Sequence, residues 1–330
     1  MRAVQIVDYS GPESALRSVE LPDPEPVHPM AGPGGGPGVL IDVYAAGVSF
    51  PELLQTRGEY QLKPPLPFVP GSEVAGTVVS APEGSHLAPG DRVAAFCWLG
   101  GFAEVAVAPP SMTFRLDGVL DYAQGAGLIL NYHTAYFALV TRGRLVEGET
   151  VLVHGAAGGV GTAALQIAKG LGATTVAVVS SDEKEQVARD AGADHVVRST
   201  GAWKDEVLEL TGGVDLIIDP VGGDRFTDSL RSLRLGGRLV VVGFTGGSIP
   251  EVKVNRLLLK NTEVIGAGWG GYLMEDPKLA GRIATELDRL IEHGFVRPII
   301  GPRFSLDQVS EALLTLDRRT ATGKVILDVR

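Results

Sequence analysis

Over the first 120 residues, apolar positions come in short β-branched runs bounded by glycine and proline. Val39–Ala45 and Val74–Val79 read as strands on that pattern, and the chain opens on another at Met1–Asp8. From about residue 123 the rhythm changes to alternating strands and helices. Strands are predicted at Thr150–His154, Thr175–Ser180, His195–Arg198, Val214–Asp219, Arg238–Gly243 and Glu263–Gly268. Helices are predicted between them at Gly159–Leu171, Asp182–Ala191, Trp203–Leu210 and Asp224–Leu233. Near-continuous apolar strands separated by helices of about 10 residues imply a parallel sheet covered on both faces. Six such strands fit a doubly wound dinucleotide-binding architecture. Beyond them, Leu279, Ile283, Leu287, Leu290 and Ile291 fall at helical spacing within Asp276–His293. A shorter helix, Leu306–Asp317, and a closing strand, Gly323–Val329, end the pattern.

Composition narrows the class. The chain has 330 residues, 44 of them glycine, or about twice average usage. With 29 Lys and Arg against 39 Asp and Glu, the formal charge is −10. That balance argues against nucleic acid or an anionic membrane as the main partner, since both select clustered cations. No stretch approaches the roughly 18 apolar residues of a membrane span, and the opening residues carry no apolar leader. A single cysteine, Cys97, excludes an internal disulfide framework, and the six histidines stand apart from one another. A cytoplasmic protein is expected. The segment 21–37 holds six prolines and four glycines, including Gly34–Gly36, and reads as a flexible surface connection.

The local signal with most chemistry is Val151–Gly161, read as VLVHGAAGGVG. Against the G-x-G-x-x-G pattern it aligns as Ala156-x-Gly158-x-x-Gly161, between a predicted strand and helix. Gly158 would let the backbone approach a pyrophosphate, Gly161 would let helix pack on strand, and the helix N-terminus would offer free N–H groups. At the end of the second strand, where an acidic residue would bind the ribose of NAD, stand Ser180 and Ser181, followed by Asp182, Glu183 and Lys184. Small hydroxyls with Lys184 nearby, and Arg198 ending the third strand, suit the 2′-phosphate of NADPH. In the alternative reading Ser180 is a helix cap completed by Glu183, and Lys184 is a solvated charge.

The ordered motifs along the whole chain resemble the medium-chain dehydrogenase/reductase superfamily, in its zinc-independent, zeta-crystallin-like quinone oxidoreductase branch. They include Met1–Val4, Ala45–Ser49, Pro67–Glu73, Gly90–Val93, Val153–Gly161, Gly192–His195, Asp219–Gly223 and Gly323–Val325. Zinc-dependent members would carry a cysteine where this chain has Ser49, and His-Glu where it has Ser72-Glu73. No metal site is therefore expected. The resemblance implies an α/β protein with two parts: a GroES-like β-rich catalytic domain from residues 1–122 and 269–330, and a doubly wound Rossmann domain at 123–268. It also implies a homodimer paired through the strand Glu263–Gly268.

The implied reaction is hydride transfer from NADPH to a quinone or an α,β-unsaturated carbonyl. Enoyl-CoA-type reduction is an alternative, as is an NADPH-binding protein with little catalysis. The resemblance puts Tyr60 in the place of a proton donor and Asn131 and Tyr132 toward the substrate. Ser49 and Trp269 would line the acceptor pocket, and Thr134 would meet the nicotinamide end. Ala157, Gly158, Gly159 and Val160 in the turn, with Val221, Gly243 and Phe244, would complete the cofactor contacts, and Lys324 would add a C-terminal one. Tyr60 could equally pack as a loop wall, Asn131 could cap a helix, and Lys324 could be an ordinary strand-edge charge.

Overall fold

The computed structural model describes every residue except Pro33 and Asp117. The chain divides into two units, residues 1–130 with 298–330, and residues 131–297.

The first unit is β-rich. Its main sheet runs in the order Ile300–Ser305, Lys324–Asp328, Val39–Val48, Glu73–Ser80, Arg92–Phe96 and Thr113–Arg115, with Val105–Ala108 also paired to Val39–Val48. Strand Val39–Val48 alternates buried and half-buried positions over its first half, as a sheet with one covered face requires. Ile41, Val43, Val74, Val93, Leu313 and Val325 pack into one core behind it. The register carries consequences for chemistry. Val325 pairs with Val48, which sets Lys324 opposite Ser49, and Gly47 pairs with Glu73. A short helix, Phe50–Thr56, starts at Ser49.

The segment 21–37 is less loose than its composition suggests. Val27–His28 pairs with Gly36–Pro37, and the buried His28 ring places Nε2 3.0 Å from the Cys97 carbonyl. Pro33, within that segment, lies outside the described residues.

The second unit holds a six-stranded parallel sheet in the order His195–Arg198, Thr174–Val179, Thr150–His154, Val214–Asp219, Leu233–Val241 and Glu263–Gly266. This is the expected doubly wound order. Its central strands are buried on both faces; all five residues of Thr150–His154 are. The predicted helix from Asp224 forms as a tight turn, Gly223–Arg225, followed by Phe226–Ser232. The next strand begins early, at Leu233, with a register break opposite Val214–Leu216.

The unit boundaries differ from the expected 122/123 and 268/269. The helix Leu279–Glu292 belongs to the second unit because its apolar face packs there: a Cβ on Gly170 would stand 2.7 Å from Leu290. The chain beyond is tied in by Gln166, whose Nε2 donates to the Arg297 carbonyl at 2.9 Å and whose Oε1 accepts the Arg297 N–H at 3.0 Å.

Two histidines are buried in this unit. His154 lies 2.8 Å from Ser229 Oγ and edge-on to Trp203; His133 lies edge-on to Trp269. Desolvation holds His154 down to about 4 and His133 down to about 3. Both therefore fold neutral, whereas in the unfolded chain they titrate near the ordinary value of about 6.5. As pH falls below that value only the unfolded state gains these protons, so stability drops through the window down to about 4. At pH 5 the loss is about 2 kcal/mol per histidine. The thermal midpoint measured by calorimetry should fall between pH 7 and pH 5, and His154→Gln should make that fall shallower. A flat profile, or an unchanged slope in the variant, contradicts this account.

Candidate functional site

Strands Thr150–His154 and Val214–Asp219 lie side by side at the centre of the parallel sheet, and the strand order runs outward from them in both directions. Crevices at the carboxyl ends of such a pair are where open α/β sheets take ligands. The glycine turn leaves the first of these strands. Gly158 N–H donates to the Gly155 carbonyl at 3.0 Å, and Thr162 N–H donates to the Gly158 carbonyl at 2.8 Å. The helix Gly159–Gly170 then begins, its first N–H groups lacking partners within the helix.

Each glycine here has its own reason. A Cβ on Gly161 would stand 2.2 Å from the Gly155 carbonyl oxygen, so close packing of helix on turn excludes any side chain. A Cβ on Gly159 would meet the buried Asn131 amide at 2.2 Å. Gly158 is different. Its φ of −88° suits any residue, and a Cβ there would meet only the Gly155 carbonyl, at 3.5 Å. Nothing in the fold requires glycine at that position, and the space beside it is open.

The facing lip follows Val214–Asp219. Asp219 Oδ1 accepts the N–H groups of Val221 and Gly222, both at 2.9 Å, and Gly246 N–H donates to the Val221 carbonyl at 2.8 Å. A Cβ on Gly155 would lie 3.1 Å from Val221, so the two lips touch. Phe244, partly exposed, stands against Gly222, with Gly243 preceding it. The turn residues Ala157 to Val160 thus share one crevice with Asn131, Val221, Gly243 and Phe244. Thr134, half-buried, lies one helical turn from Asn131 in Ile129–Tyr136.

At the end of Thr174–Val179, Lys184 Nζ donates to Ser180 Oγ at 3.3 Å. The helix cap is Ser181, not Ser180: its hydroxyl accepts the Lys184 N–H. Arg198, paired in register with Val179, donates through one nitrogen to both Asp182 and Glu185. The Asp182 side chain is fully exposed. Ser180, Lys184 and Arg198 are therefore brought together, with two carboxylates already holding the arginine.

The first unit contains a buried charged cluster. Lys324 Nζ pairs with Glu73 and donates to Ser49 Oγ at 2.5 Å. Glu73 Oε2 accepts the Leu130 N–H at 2.8 Å. Glu52 accepts the Ser49 N–H at 2.9 Å and the Ser72 hydroxyl at 2.6 Å. All five side chains are buried, and burial raises the Glu52 carboxyl above the ordinary range. Tyr60, half-buried, has its phenol raised by burial and by the nearby Glu52 charge.

Lys324 was expected as a cofactor contact. Its ammonium instead turns into its own unit, because the register lays Lys324 against Ser49 and Glu73. Glu52 was missed, although Ser49-Phe50-Pro51-Glu52 has the S-x-x-E spacing of a capping box.

Two further residues singled out in the sequence are buried. Tyr132 faces no open space: it is fully buried, and its hydroxyl donates to Gln166 Oε1 at 2.7 Å. Gln166 also holds the Arg297 backbone, so the Tyr132 hydroxyl joins a network inside the second unit. Trp269 is 3% exposed and packs edge-on to His133 in the second unit. Cys97 is buried, and desolvation pushes its thiol far up, so it is no nucleophile.

Among the described residues there is no group of three or more His, Cys, Asp or Glu placed to hold a metal, and no helix long and apolar enough to cross a membrane. Residues 35–118 match the family model of the alcohol dehydrogenase GroES-like domain, and residues 159–285 that of zinc-binding dehydrogenases. The chain is 38% identical to mouse quinone oxidoreductase-like protein 2 over 322 residues, 96% of this chain and 92% of the relative. A probable oxidoreductase from Mycobacterium abscessus superposes with a TM-score of 0.88 at 44% identity, covering 100% of this chain and 99% of that one. The quinone oxidoreductase of Thermus thermophilus, described with its NADPH complex, superposes with a TM-score of 0.82 at 32% identity, over 100% of both chains. With both units matched and nearly the full length aligned, the chain belongs to the medium-chain dehydrogenase/reductase superfamily, among its quinone oxidoreductase-like members.

Proposed function

We propose that this protein is an NADPH-dependent oxidoreductase that delivers a hydride to a quinone or an α,β-unsaturated carbonyl without a metal. The observation that carries the reading is Gly158: a position where no side chain is excluded by the fold, beside open space, at the start of a 12-residue helix. Such a cradle fits a pyrophosphate, which would take the helix's free N–H groups. The named relatives and the NADPH complex of a structural neighbour support an oxidoreductase with a nicotinamide cofactor.

When bound, the cofactor supplies the hydride. The chain's part is to hold it and its acceptor. Ala157 to Val160 would meet the pyrophosphate, Asn131 and Thr134 the region beyond the turn, and Val221, Gly243 and Phe244 the opposite lip. Ser180, Lys184 and Arg198 would receive the 2′-phosphate. Tyr60 keeps its proton at neutral pH and can donate it to an acceptor. The metal-free reading is supported by the cluster of Ser49, Ser72, Glu52 and Glu73, where the Lys324 ammonium already pairs with Glu73. We also assign a two-fold dimer to the sheet edge at Glu263–Gly266. That strand lies mostly exposed, with exposed Val254, Leu258 and Leu259 nearby in sequence.

Two measurements test the cofactor site. Gly158→Ala should leave the thermal midpoint within about 2 °C, because its Cβ meets no clash, yet weaken NADPH binding by calorimetry at least about tenfold. Equal affinity in the variant removes the cradle argument. In steady-state assays with quinones, enones and enoyl-CoA esters, the wild type should prefer NADPH over NADH. Lys184→Ala should cut that preference about tenfold, and Asp182→Asn should strengthen it by removing one of the two carboxylates that hold Arg198, Glu185 keeping the other contact. A preference for NADH, or no effect of either substitution, contradicts the 2′-phosphate assignment.

A further inference from the structure

We propose that His28 is a proton-operated latch: it fastens the stretches Val27–Met30 and Gly36–Gly38 to the β-rich first unit, and a second proton on its ring releases them. The inference concerns the first unit alone and does not depend on the reductase reading.

The geometry fixes the protonation state of the ring. Its Nε2 lies 3.0 Å from the Cys97 carbonyl oxygen, which can only accept, so Nε2 carries the proton. Its Nδ1 accepts the Met30 N–H at 3.0 Å, so Nδ1 carries none. The neutral Nε2–H tautomer satisfies both contacts, and no other form of the ring does. An imidazolium donates from both nitrogens. Its Nδ1–H would face the Met30 N–H, donor against donor.

Little else holds these stretches down. Val27–His28 and Gly36–Pro37 pair over two residues each, and Gly38 N–H donates to the Pro26 carbonyl at 2.8 Å. Pro26, Val27 and Pro29 are exposed, whereas His28 is 5% exposed. A Cβ on Gly38 would stand 2.4 Å from Val107 Cγ1 and 3.3 Å from His28 Cβ, so the histidine is wedged beside strand Val105–Ala108.

Release leaves no buried group orphaned. The Cys97 carbonyl also accepts the Leu99 N–H at 2.6 Å, which closes a three-residue turn, and it keeps that bond when the ring departs. The ring and the Met30 N–H pass to water. The turn itself is strained: Trp98, at its centre, has a φ of 64°, a region that bulky side chains rarely occupy. Its backbone can relax once His28 no longer pins the carbonyl.

The direction of the switch follows from what surrounds the ring. Strand Val105–Ala108, the segment 96–99 and the segment 26–38 carry one other titratable side chain, the Cys97 thiol. That thiol turns to the Gly71 carbonyl at 3.6 Å, and Asp23 and Glu25, just before the latch, are exposed. Burial lowers the ring's affinity for a second proton, and the Cys97 carbonyl opposes this in part. The closed form is therefore favoured above the ordinary histidine value of about 6.5, and the open form gains the proton below it.

Amide hydrogen exchange of the full chain, read by mass spectrometry and corrected for its intrinsic pH dependence, measures the opening. Between pH 7.5 and pH 5.5, exchange in peptides spanning Val27–Met30 should rise several-fold, up to about tenfold. An open ring titrating near about 6.5 gains roughly that factor one pH unit lower. Peptides from Thr150–His154 should not follow. His28→Gln, which does not titrate, should abolish the rise whatever its basal rate. In wild type carrying ¹⁵N-labelled histidine, the ring signals absent from His28→Gln should show the Nε2–H tautomer at pH 7.5 and titrate below the ordinary value. Exchange in Val27–Met30 that ignores pH, an equal rise in His28→Gln, or a His28 ring titrating at or above the ordinary value overturns the latch. A rise matched throughout the chain also overturns it, since that marks global unfolding driven by the buried His133 and His154.

Discussion

The second unit depends on how closely one helix can approach one turn. At Gly161 there is no room for a single carbon, because the Gly155 carbonyl oxygen would lie 2.2 Å away. That contact sets the helix Gly159–Gly170 directly on the end of the central strand. It aims the helix N-terminus into the crevice between Thr150–His154 and Val214–Asp219. The Asn131 amide against Gly159 and Val221 against Gly155 follow from the same close approach. If the helix stood one methyl group further out, the open space at Gly158 would no longer be framed by backbone donors.

The first unit solves a different problem, that of keeping charge inside a β-rich core. Pairing of Lys324–Asp328 with Val39–Val48, and of that strand with Glu73–Ser80, brings an ammonium, two carboxyls and two hydroxyls into one cluster. Buried ion pairs cost desolvation free energy that an apolar core would avoid, and breaking one partner leaves an uncompensated charge. Here the strand register holds the pair in place, and a Cβ on Gly47 would stand 2.3 Å from the Ala126 carbonyl and 2.7 Å from the lysine Cε.

Much of this was legible in the residues. The strands of the parallel sheet carry apolar runs, so their positions followed from local pattern, as did the glycine turn. Local pattern fails where the decisive contact is long-range. Lys324 and Glu73 lie 251 positions apart, and only strand register makes them neighbours. The partner of the Tyr132 hydroxyl, Gln166, lies in another helix and was equally out of reach of local pattern. The unit boundary shifted because Leu290 packs against Gly170, a contact that periodicity within Leu279–Glu292 does not reveal. Arg198 was readable as a cation, but not as one already shared by Asp182 and Glu185.

The central claim is that a hydride passes directly from NADPH to an electron-poor carbon. Its most direct test is a single turnover with NADPH deuterated at the transferable C4 position and a simple cyclic enone, followed by mass spectrometry of the product. The account predicts one NADPH consumed per enone and one deuterium at the β-carbon of the saturated ketone. Cofactor consumption without deuterium in the product, or no consumption with enones or quinones despite tight NADPH binding, would contradict it.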